Sequence, residues 1–405
     1  MKVSMLIWSY WPGPEGGAER QCRRLIRKLE RRGVESVVIT CLSSYRIPKK
    51  AWDGSTMILR FGVLCPVAEI MDRIAQSITG TMGPTSASFF QAISFWICLP
   101  TLWLARLSFL LELFFGLRRK RLGVNVLHVH ESSWLAGVGV WLADKWRVPV
   151  VCKVRSTPAF DIIGYDVPLR RYWEKLRQKA AYIALHDALR DELITYGIPG
   201  SRISVIPNGV EIPKINGAER QSNEVLYVGN FSQSARWKAF DVLFDAWERV
   251  IREIGSARLT LLGRGNSGIW KDRAKDGGFS SGLVFAGHTW NPDAYYRKAD
   301  VFVLPSRVEG MSNALLEAQS WGIASVVSDI PGNCAVVEHE VNGLVVPVGD
   351  AEALSLALIR LLRDPELRQR LGENARRCMV QFYDAGCVAD RLVVIYQQLQ
   401  ANAVQ

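Results

Sequence analysis

The sequence predicts an α/β fold of two domains, each a parallel sheet covered by helices on both faces. Its 405 residues exceed one average domain and suit two domains of roughly 200 residues each. Short apolar strand patterns alternate with helical patterns, as expected for parallel sheets buried on both faces. The alternation pauses in a turn-rich stretch near 207–223 and then restarts. We therefore predict domains over 1–208 and 209–385, with a C-terminal helix over 386–405 that packs back on the first domain.

The first domain opens with a βαβ unit. The strand-like "KVSMLIWSY" leads through a Pro/Gly-rich turn into a helix, Gly33 ends that helix, and a β-branched run follows over 34–40. The apolar positions of the helix repeat at helical spacing: Cys22, Leu25, Ile26 and Leu29. Later apolar runs, "VNVLHVH" and "VPVVCKV", continue the same sheet.

The second domain repeats this pattern. "VLYVGNFS" is its first strand, and a helix follows from about Asp241. Further strands are predicted in "RLTLLGRG", "LVFAG", "ADVFVLPS", "SVVSD" and "GLVVPVGD". The restart predicts a second Rossmann-like domain.

The excess of positive over negative charge lies in the first half of the chain. The formal net charge is +11, the sum of +13 for residues 1–210 and −2 for the remainder. The first half is thus expected to face an anionic partner, namely a phospholipid surface, a phosphorylated substrate or nucleic acid; a solvated basic surface is the plain alternative. We expect no nucleic-acid partner, since the chain has neither an aromatic RNA-binding signature nor a zinc finger.

The cysteines and the N-terminus indicate a cytoplasmic protein. Eight cysteines are scattered without a CxxC pair, which suits reduced core residues. The chain starts directly with a strand-like segment, so no secretory signal is expected.

An apolar segment over 89–121 carries only Arg106 and Glu112 before a terminal basic cluster. Its length would allow a spanning helix, but Pro100, the internal charges and the strand that follows argue against one. An interfacial helix is an alternative, with its apolar side chains in the acyl boundary and the basic cluster on anionic headgroups. A helix packed on the sheet is the other. The cluster is Arg118, Arg119, Lys120 and Arg121.

The stretch "EGMSNALLE" follows the predicted strand "VFVLPS", where a strand ends and a helix begins. Free amides and the helix dipole there favour a diphosphate, and the predicted donors are the backbone N–H groups of Met311, Ser312 and Asn313. We predict Glu309 just ahead of this helix and Glu317 two turns inside it. Because a carboxylate matches two adjacent hydroxyls, we predict a sugar at Glu309 and a ribose at Glu317.

This pattern resembles the EX7E signature of retaining glycosyltransferases of family 4, which have the GT-B fold of two Rossmann-like domains facing each other across a cleft. Other elements occur in the family's order along essentially the whole chain: "PGPEGGAER", "VLHVHES", "RISVIPNGVE", "VGNFSQSARWKAFDVLFDAW", "LLGRG" and "GLVVPVGD". The resemblance implies donor contacts at Gly16, Gly17, Lys238, Gly263, Glu309 and Gly310. It implies an active-site role for His130.

Two departures from the family pattern concern the donor site. Asn230 stands where the family often has arginine, and Ala239 replaces the usual glycine after Lys238. Arg236 could supply the missing charge. On the acceptor side, the expected residues are Glu19, Arg20 and Arg155.

The implied activity is metal-independent transfer of a hexosyl-type sugar from a nucleoside diphosphate sugar to a hydroxyl, with the anomeric configuration retained. His130, Glu309 and Lys238 are the expected catalytic residues. No cofactor or metal is expected, because no DxD occurs in the chain. The expected acceptor is a polyprenyl diphosphate-linked or other glycan, used by a peripheral enzyme on the cytoplasmic face of a membrane in exopolysaccharide or O-antigen synthesis. Alternatives are a non-catalytic sugar- or lipid-binding homologue and a nucleotide-sugar 2-epimerase.

Overall fold

The structure is a computed structural model that describes residues 1–12, 16–67, 101, 103–117, 122–132, 134–155, 179–215, 223–231, 236–265, 267–289 and 291–404. The chain divides into two compact units. Unit 1 comprises Met1–Pro207 with Ala389–Gln405, and unit 2 comprises Asn208–Val388. The divisions predicted from sequence follow residues 208 and 385.

Unit 1 is built on an eight-stranded sheet with the order β3-β4-β2-β1-β5-β6-β7-β8. Its ladders are parallel except for the β3–β4 pair at one edge. The strands are β1 Lys2–Leu6, β2 Glu35–Cys41, β3 Lys50–Asp53, β4 Thr56–Phe61, β5 Val126–Val129, β6 Val150–Lys153, β7 Ala181–Ala184 and β8 Ile203–Val205. The central strands β1, β2, β5 and β6 are almost wholly buried, as sheets covered on both faces require.

Four described helices connect these strands. They are α1 Gly17–Glu30, α2 over 103–117, α3 Trp134–Trp146 and α4 Asp187–Thr195, with a short helical turn at Gly200–Arg202. Helix α1 buries the predicted apolar face of Cys22, Leu25, Ile26 and Leu29 against the sheet. Gly33 follows the helix with φ +71°, which a glycine adopts without steric cost.

Unit 2 is built on a six-stranded, fully parallel sheet with the order β11-β10-β9-β12-β13-β14. The strands are β9 Glu224–Val228, β10 Arg258–Leu262, β11 Leu283–Gly287, β12 Val301–Leu304, β13 Ala324–Ser328 and β14 Leu344–Val346. Each one overlaps a segment that the sequence predicts as a strand, and β9 and β13 begin one residue before theirs.

The helices of unit 2 are α5 Phe240–Glu253, α6 Gly268–Asp276, α7 Asp293–Lys298, α8 Asn313–Ser320, α9 Pro331–Cys334, α10 Ala351–Arg363 and α11 Pro365–Cys378. Shorter helical turns lie at Arg236–Lys238, Ser280–Gly282 and Met379–Tyr383. Helix α5 begins one residue before the predicted Asp241 and buries Trp247 completely.

The last helix, α12 Ala385–Val404, starts in unit 2 and continues in unit 1. Within unit 1, the Tyr396 hydroxyl lies 2.6 Å from Nδ1 of His128 on β5. Arg391 donates to the Val205 carbonyl at 2.6 Å, and Asp390 pairs with Arg32 of α1. The C-terminal helix is therefore an integral part of unit 1.

Both sheets have their topological switch point beside the first strand. In unit 1, β1 lies between β2 and β5, and in unit 2, β9 lies between β10 and β12. The connections that leave β1 and β5 run in opposite directions, as do those that leave β9 and β12, which opens a crevice outside the carboxyl ends of these strands. Ligand sites are therefore expected after β1 and β5, and after β9 and β12.

Helix α2 covers the described part of the predicted membrane segment. It buries Ala105, Phe109 and Leu113, and it exposes several large apolar side chains: Trp103, Leu104, Leu107, Leu111 and Phe115. Arg118, Arg119, Lys120 and Arg121 lie outside the described residues. Of the helices that the structure describes, none is both long enough and apolar enough to cross a bilayer.

Candidate active site

Two of the predicted catalytic residues contact each other at the switch point of unit 2. The Lys238 Nζ atom lies 2.5 Å from Oε1 of Glu309, and the Ser306 hydroxyl donates to the same oxygen at 2.8 Å. The side chains are largely shielded, with exposures of 18% for Lys238 and 12% for Glu309. An ion pair in such surroundings is screened less than a surface pair, so the carboxylate is held firmly through Oε1.

The loop that carries Glu309 is fastened to the turn that carries Lys238. Arg307 makes a bidentate contact with Asp241, at 2.9 and 2.6 Å, and also donates to the Arg236 carbonyl at 3.0 Å. The Arg307 N–H donates to the Trp237 carbonyl at 2.7 Å. Hydrogen bonds from Arg307 hold the pKa of Asp241 below its usual value. The Arg236 side chain is exposed at this edge.

The residues predicted to bind a diphosphate lie at the N-terminus of α8. Ser312 is the N-cap residue, and its hydroxyl accepts from the Leu315 N–H at 3.4 Å. Met311 is buried and anchored by Asn208, whose side-chain amide donates to the Met311 carbonyl at 3.4 Å and whose N–H contacts the Met311 sulfur at 3.3 Å. The amides of Met311, Ser312 and Asn313 thus lie at the start of α8, where the helix dipole favours an anion.

Glu317 lies about one turn inside α8, because the helix begins at Asn313 and not earlier. The predicted placement of two turns inside the helix is therefore wrong. The Glu317 carboxylate accepts from the buried Tyr296 hydroxyl at 3.1 Å, and the same hydroxyl lies 3.4 Å from the Ala314 carbonyl oxygen. Tyr296 thus fixes the carboxylate that the sequence assigns to a ribose.

Glycine is required where β10 ends beside β9. Gly263 has φ +154°, and a Cβ there would lie 1.9 Å from the Gly229 carbonyl oxygen. The two loops approach so closely that neither a side chain nor an ordinary backbone conformation fits. Ala239, which replaces the family's usual glycine, adopts the left-handed conformation with φ 52°. The family's glycine is thus explained by backbone geometry, and alanine here keeps that geometry at a steric cost.

The start of α1 lies at the switch point of unit 1. Gly16 precedes the helix, and its N–H donates to the Glu19 carboxylate at 2.8 Å. A Cβ at Gly16 would lie 2.7 Å from that carboxylate. Gly17 opens the helix, and the half-buried Arg20 lies in its first turn. The Glu19 carboxylate therefore covers the same helix terminus that the sequence assigns to a donor phosphate.

His130 follows β5 and is almost fully buried. It stacks on His128, with ring centroids 4.4 Å apart and planes within 10°. Burial, together with the charges of His128, Lys153 and Arg155, holds the pKa of His130 well below its usual value. Among the described residues its Nε2 has no hydrogen-bond partner. His130 is thus a neutral imidazole at neutral pH, suited to a hydrogen bond with a hydroxyl.

A cavity of about 270 Å³ lies beside His130 within unit 1. Trp8 and Trp134 form an aromatic wall with ring centroids 5.2 Å apart, and the Arg106 guanidinium lies over the Trp134 ring at 5.0 Å. Arg155 also lines it, 3.9 Å from the Glu131 carboxylate. The remaining lining residues are Ile7 and Glu19. Arg20 is not among the lining residues, whereas Glu19 and Arg155, the other two predicted acceptor residues, are.

Several of these contacts were not predicted from the sequence. Ser306 ends the predicted strand "VFVLPS" and its hydroxyl contacts Glu309 three residues later, Arg307 contacts Asp241 on α5, and Tyr296 lies on α7. Trp8 follows β1, and Trp134 is the first residue of α3, which follows β5. Their position after a strand at the switch point is the signal that could have identified them. In the part of the chain that the structure describes, no group of three His, Cys, Asp or Glu residues could hold a metal ion.

The fold and both sites define a glycosyltransferase of the GT-B class. The family model described as Glycosyltransferase Family 4 matches residues 15–213, and the one described as Glycosyl transferases group 1 matches residues 222–364. The chain belongs to the family 4 glycosyltransferases.

Known proteins agree with this assignment. The chain is 28% identical over 289 residues to the phosphatidyl-myo-inositol mannosyltransferase of Mycobacterium leprae, covering 69% of this chain and 74% of the relative. It is 27% identical to the glycogen synthase of Mycobacterium tuberculosis, covering 98% of this chain and 94% of the relative.

Solved structures show the same fold. The sucrose-phosphate synthase of Thermosynechococcus elongatus matches with a TM-score of 0.72 at 20% identity, covering 99% of each chain. Anabaena HepE in complex with UDP and glucose matches with a TM-score of 0.67 at 17% identity, covering 98% of this chain and all of HepE.

Proposed function

We propose that this enzyme transfers a sugar from a nucleoside diphosphate sugar to an acceptor hydroxyl with retention of the anomeric configuration. One observation carries the proposal. The Lys238–Glu309 pair, the α8 N-terminus and Glu317 all lie on unit 2, at or beyond the carboxyl end of β12. Glu309 offers a carboxylate to a sugar, and the α8 amides and the Lys238 ammonium suit a diphosphate. Glu317 offers a second carboxylate to a ribose.

The reaction follows from these contacts. The bond between the anomeric carbon and the diphosphate oxygen breaks, and the acceptor oxygen bonds to that carbon on the same face. The acceptor proton passes to the departing phosphate. Lys238, Arg236 and the α8 amides stabilise the negative charge that develops on the diphosphate, as preorganised donors do. Basic residues take the place of a metal in this scheme.

The cavity of unit 1 is the proposed acceptor site. Trp8 and Trp134 offer flat apolar surfaces for a sugar ring, His130 offers a neutral imidazole to a hydroxyl, and Arg106 and Arg155 offer positive charge. A glycan linked to a polyprenyl diphosphate combines these features, so we favour such an acceptor in exopolysaccharide or O-antigen type synthesis.

Release of free UDP, GDP or ADP tests the proposed reaction. A panel of nucleotide sugars is incubated with membrane lipid extract, with EDTA or with Mn²⁺, using Glu309→Ala as control. We expect one donor to be consumed by the native protein at the same rate in both conditions, and not by the variant. Full activity of Glu309→Ala would refute its role, and dependence on Mn²⁺ would refute the metal-independent scheme. No donor consumed in the presence of the extract would refute the proposed donor and acceptor pair.

We also propose peripheral binding to the cytoplasmic face of an anionic membrane through α2. Leu107 and Leu111 lie on its exposed apolar face, and the sequence places four basic residues directly after the helix. Apolar insertion combined with basic side chains is the usual requirement for stable binding at a lipid surface.

Cosedimentation with anionic liposomes tests this surface. Leu107→Ser combined with Leu111→Ser should release the protein, as should serine at all four positions 118–121. Val394→Ser is a matched control, since Val394 is half exposed on α12. Equal cosedimentation of all variants would contradict the proposed membrane contact.

A further inference from the structure

The segment from Ser328, the last residue of β13, to Asn333 in α9 packs against the loop that carries Glu309. Nothing in its composition suggests chemistry, and it contributes no titratable group to the contacts of Glu309. Four of its six residues are nevertheless buried, with Ser328 1% exposed and Asn333 fully buried. Buried polar side chains such as these form hydrogen bonds within the protein.

A chain of hydrogen bonds runs from this segment to Glu309. The Asn333 side-chain amide donates to both the carbonyl and the hydroxyl oxygen of Ser328, each at 3.1 Å. The Ser328 hydroxyl donates to the Ser306 carbonyl. The hydroxyl of Ser306, which is fully buried, then donates to Oε1 of Glu309 at 2.8 Å. Each link fixes the donor or acceptor of the next one.

Gly332 supplies a steric contact at the same place. A Cβ at this position would lie 2.3 Å from the Glu309 carbonyl oxygen and 2.5 Å from that of Gly310. Both atoms belong to the backbone, so a side chain at position 332 can be accommodated only if the backbone of Glu309 and Gly310 and that of Gly332 move apart.

Resting on the proposed function, we infer that Ser306 and Gly332 are positioning residues for the transfer step. Ser306 and Lys238 both bind Oε1 of Glu309, which leaves Oε2 for the donor sugar. Because it has no side chain, Gly332 lets the Glu309 backbone pack at its present position. The inference goes beyond the EX7E pattern, because Gly332 lies outside it and acts through contact with the backbone.

Kinetics and binding separate positioning from a general loss of structure. Ser306→Ala is expected to lower kcat about tenfold, the usual effect of one hydrogen bond to a charged group. Gly332→Ala is expected to lower kcat about 100-fold, as a displacement of 1 Å can do. For Ser306→Ala, the Kd of UDP, or of GDP or ADP if the donor panel selects one of them, should change less than about twofold, because this substitution does not touch the amides at the start of α8.

Matched controls exist on the same unit. Ser325 is fully buried on β13 but donates only to the Ile323 carbonyl, at 3.4 Å. A Cβ at Gly255 would have no atom closer than the Ile251 carbonyl oxygen at 4.0 Å, so alanine fits there. Ser325→Ala and Gly255→Ala should therefore keep native kcat. The inference is overturned if Ser306→Ala and Gly332→Ala match these controls while Glu309→Ala is inactive, which leaves the proposed function standing.

A crystal structure of Gly332→Ala tests the same inference without any turnover. The Glu309 carboxylate should move by at least about 1 Å relative to α8, because neither carbonyl can accept a methyl group at the present distances. An unmoved Glu309 would overturn the positioning role. If Gly332→Ala does not fold, the structure of Ser306→Ala is decisive instead, and a Glu309 carboxylate unchanged in position and contacts would refute the role of Ser306.

Discussion

Replacing Gly263 by alanine should destabilise unit 2 severely and remove donor binding with it. The built Cβ lies 1.9 Å from the Gly229 carbonyl oxygen and 2.8 Å from its carbon, and φ is +154°. The backbone conformation alone costs about 1–3 kcal/mol for a residue with a side chain. Forcing the two loops apart costs about 1–3 kcal/mol more. We therefore expect a loss of about 4 kcal/mol.

Thermal unfolding measures this loss. For a domain of 150–250 residues, 1 kcal/mol corresponds to about 2–4 °C, so Tm of unit 2 should fall by roughly 8–16 °C. Gly255→Ala, at an open position, should leave Tm unchanged within about 2 °C. Because a chain of two units need not unfold in one step, the transition is followed by Trp fluorescence and by calorimetry together. A fall of less than about 2 °C for Gly263→Ala would refute the steric argument.

Three further substitutions test single contacts. Tyr296→Phe should weaken nucleotide binding about 3- to 10-fold by calorimetry, since the Glu317 carboxylate loses its buried donor; an unchanged Kd would contradict the ribose assignment. Burial lowers the pKa of Lys153 from the usual 10.5 to about 8. The buried ammonium therefore lowers the free energy of unfolding below pH 8, and this loss disappears as pH rises from 8 towards 10.5. Lys153→Met should thus raise the midpoint of urea unfolding at pH 7, and should raise it less at pH 9.5. Equal gains at the two pH values would refute the effect of the buried ammonium. Asp241→Asn should cost about 0.5–1 kcal/mol at pH 7, and this cost should shrink as pH falls through the folded-state pKa of Asp241, which Arg307 holds below its usual value; a loss independent of pH would refute this.

The predicted strands of unit 2 follow from the sequence because each one is a short apolar run bounded by glycine, proline or polar residues. The edge strand β3 in unit 1 was missed, since "KAWD" pairs with β4 through only four residues and alternates between half-buried and exposed positions. Such a strand depends on its neighbour for its register, and a single sequence does not show that neighbour.

The candidate site was predictable to the extent that its residues are close in the sequence. Glu309, Ser312 and Glu317 follow from one loop and one helix. The partners that hold them come from distant segments: Tyr296 on α7, Lys238 before α5, and Asn333 on α9. Spacing along the chain predicts which groups share a helix, but it does not predict contacts made only when six strands assemble. Because the helix begins at Asn313, Glu317 lies one turn inside it instead of two. The exact residue at which a helix begins is among the features that a sequence predicts least well.

The course of α12 has a consequence for biosynthesis. Unit 2 is inserted into unit 1, since residues 389–404 return to pack on strands formed by the first 207 residues. A ribosome therefore releases all of unit 2 before it releases Tyr396, the hydrogen-bond partner of His128. Unit 2 can fold as an uninterrupted segment during translation, whereas unit 1 must wait with an uncovered sheet until its last helix emerges. Nascent chains arrested before residue 389 should accordingly engage chaperones through unit 1 and not through unit 2.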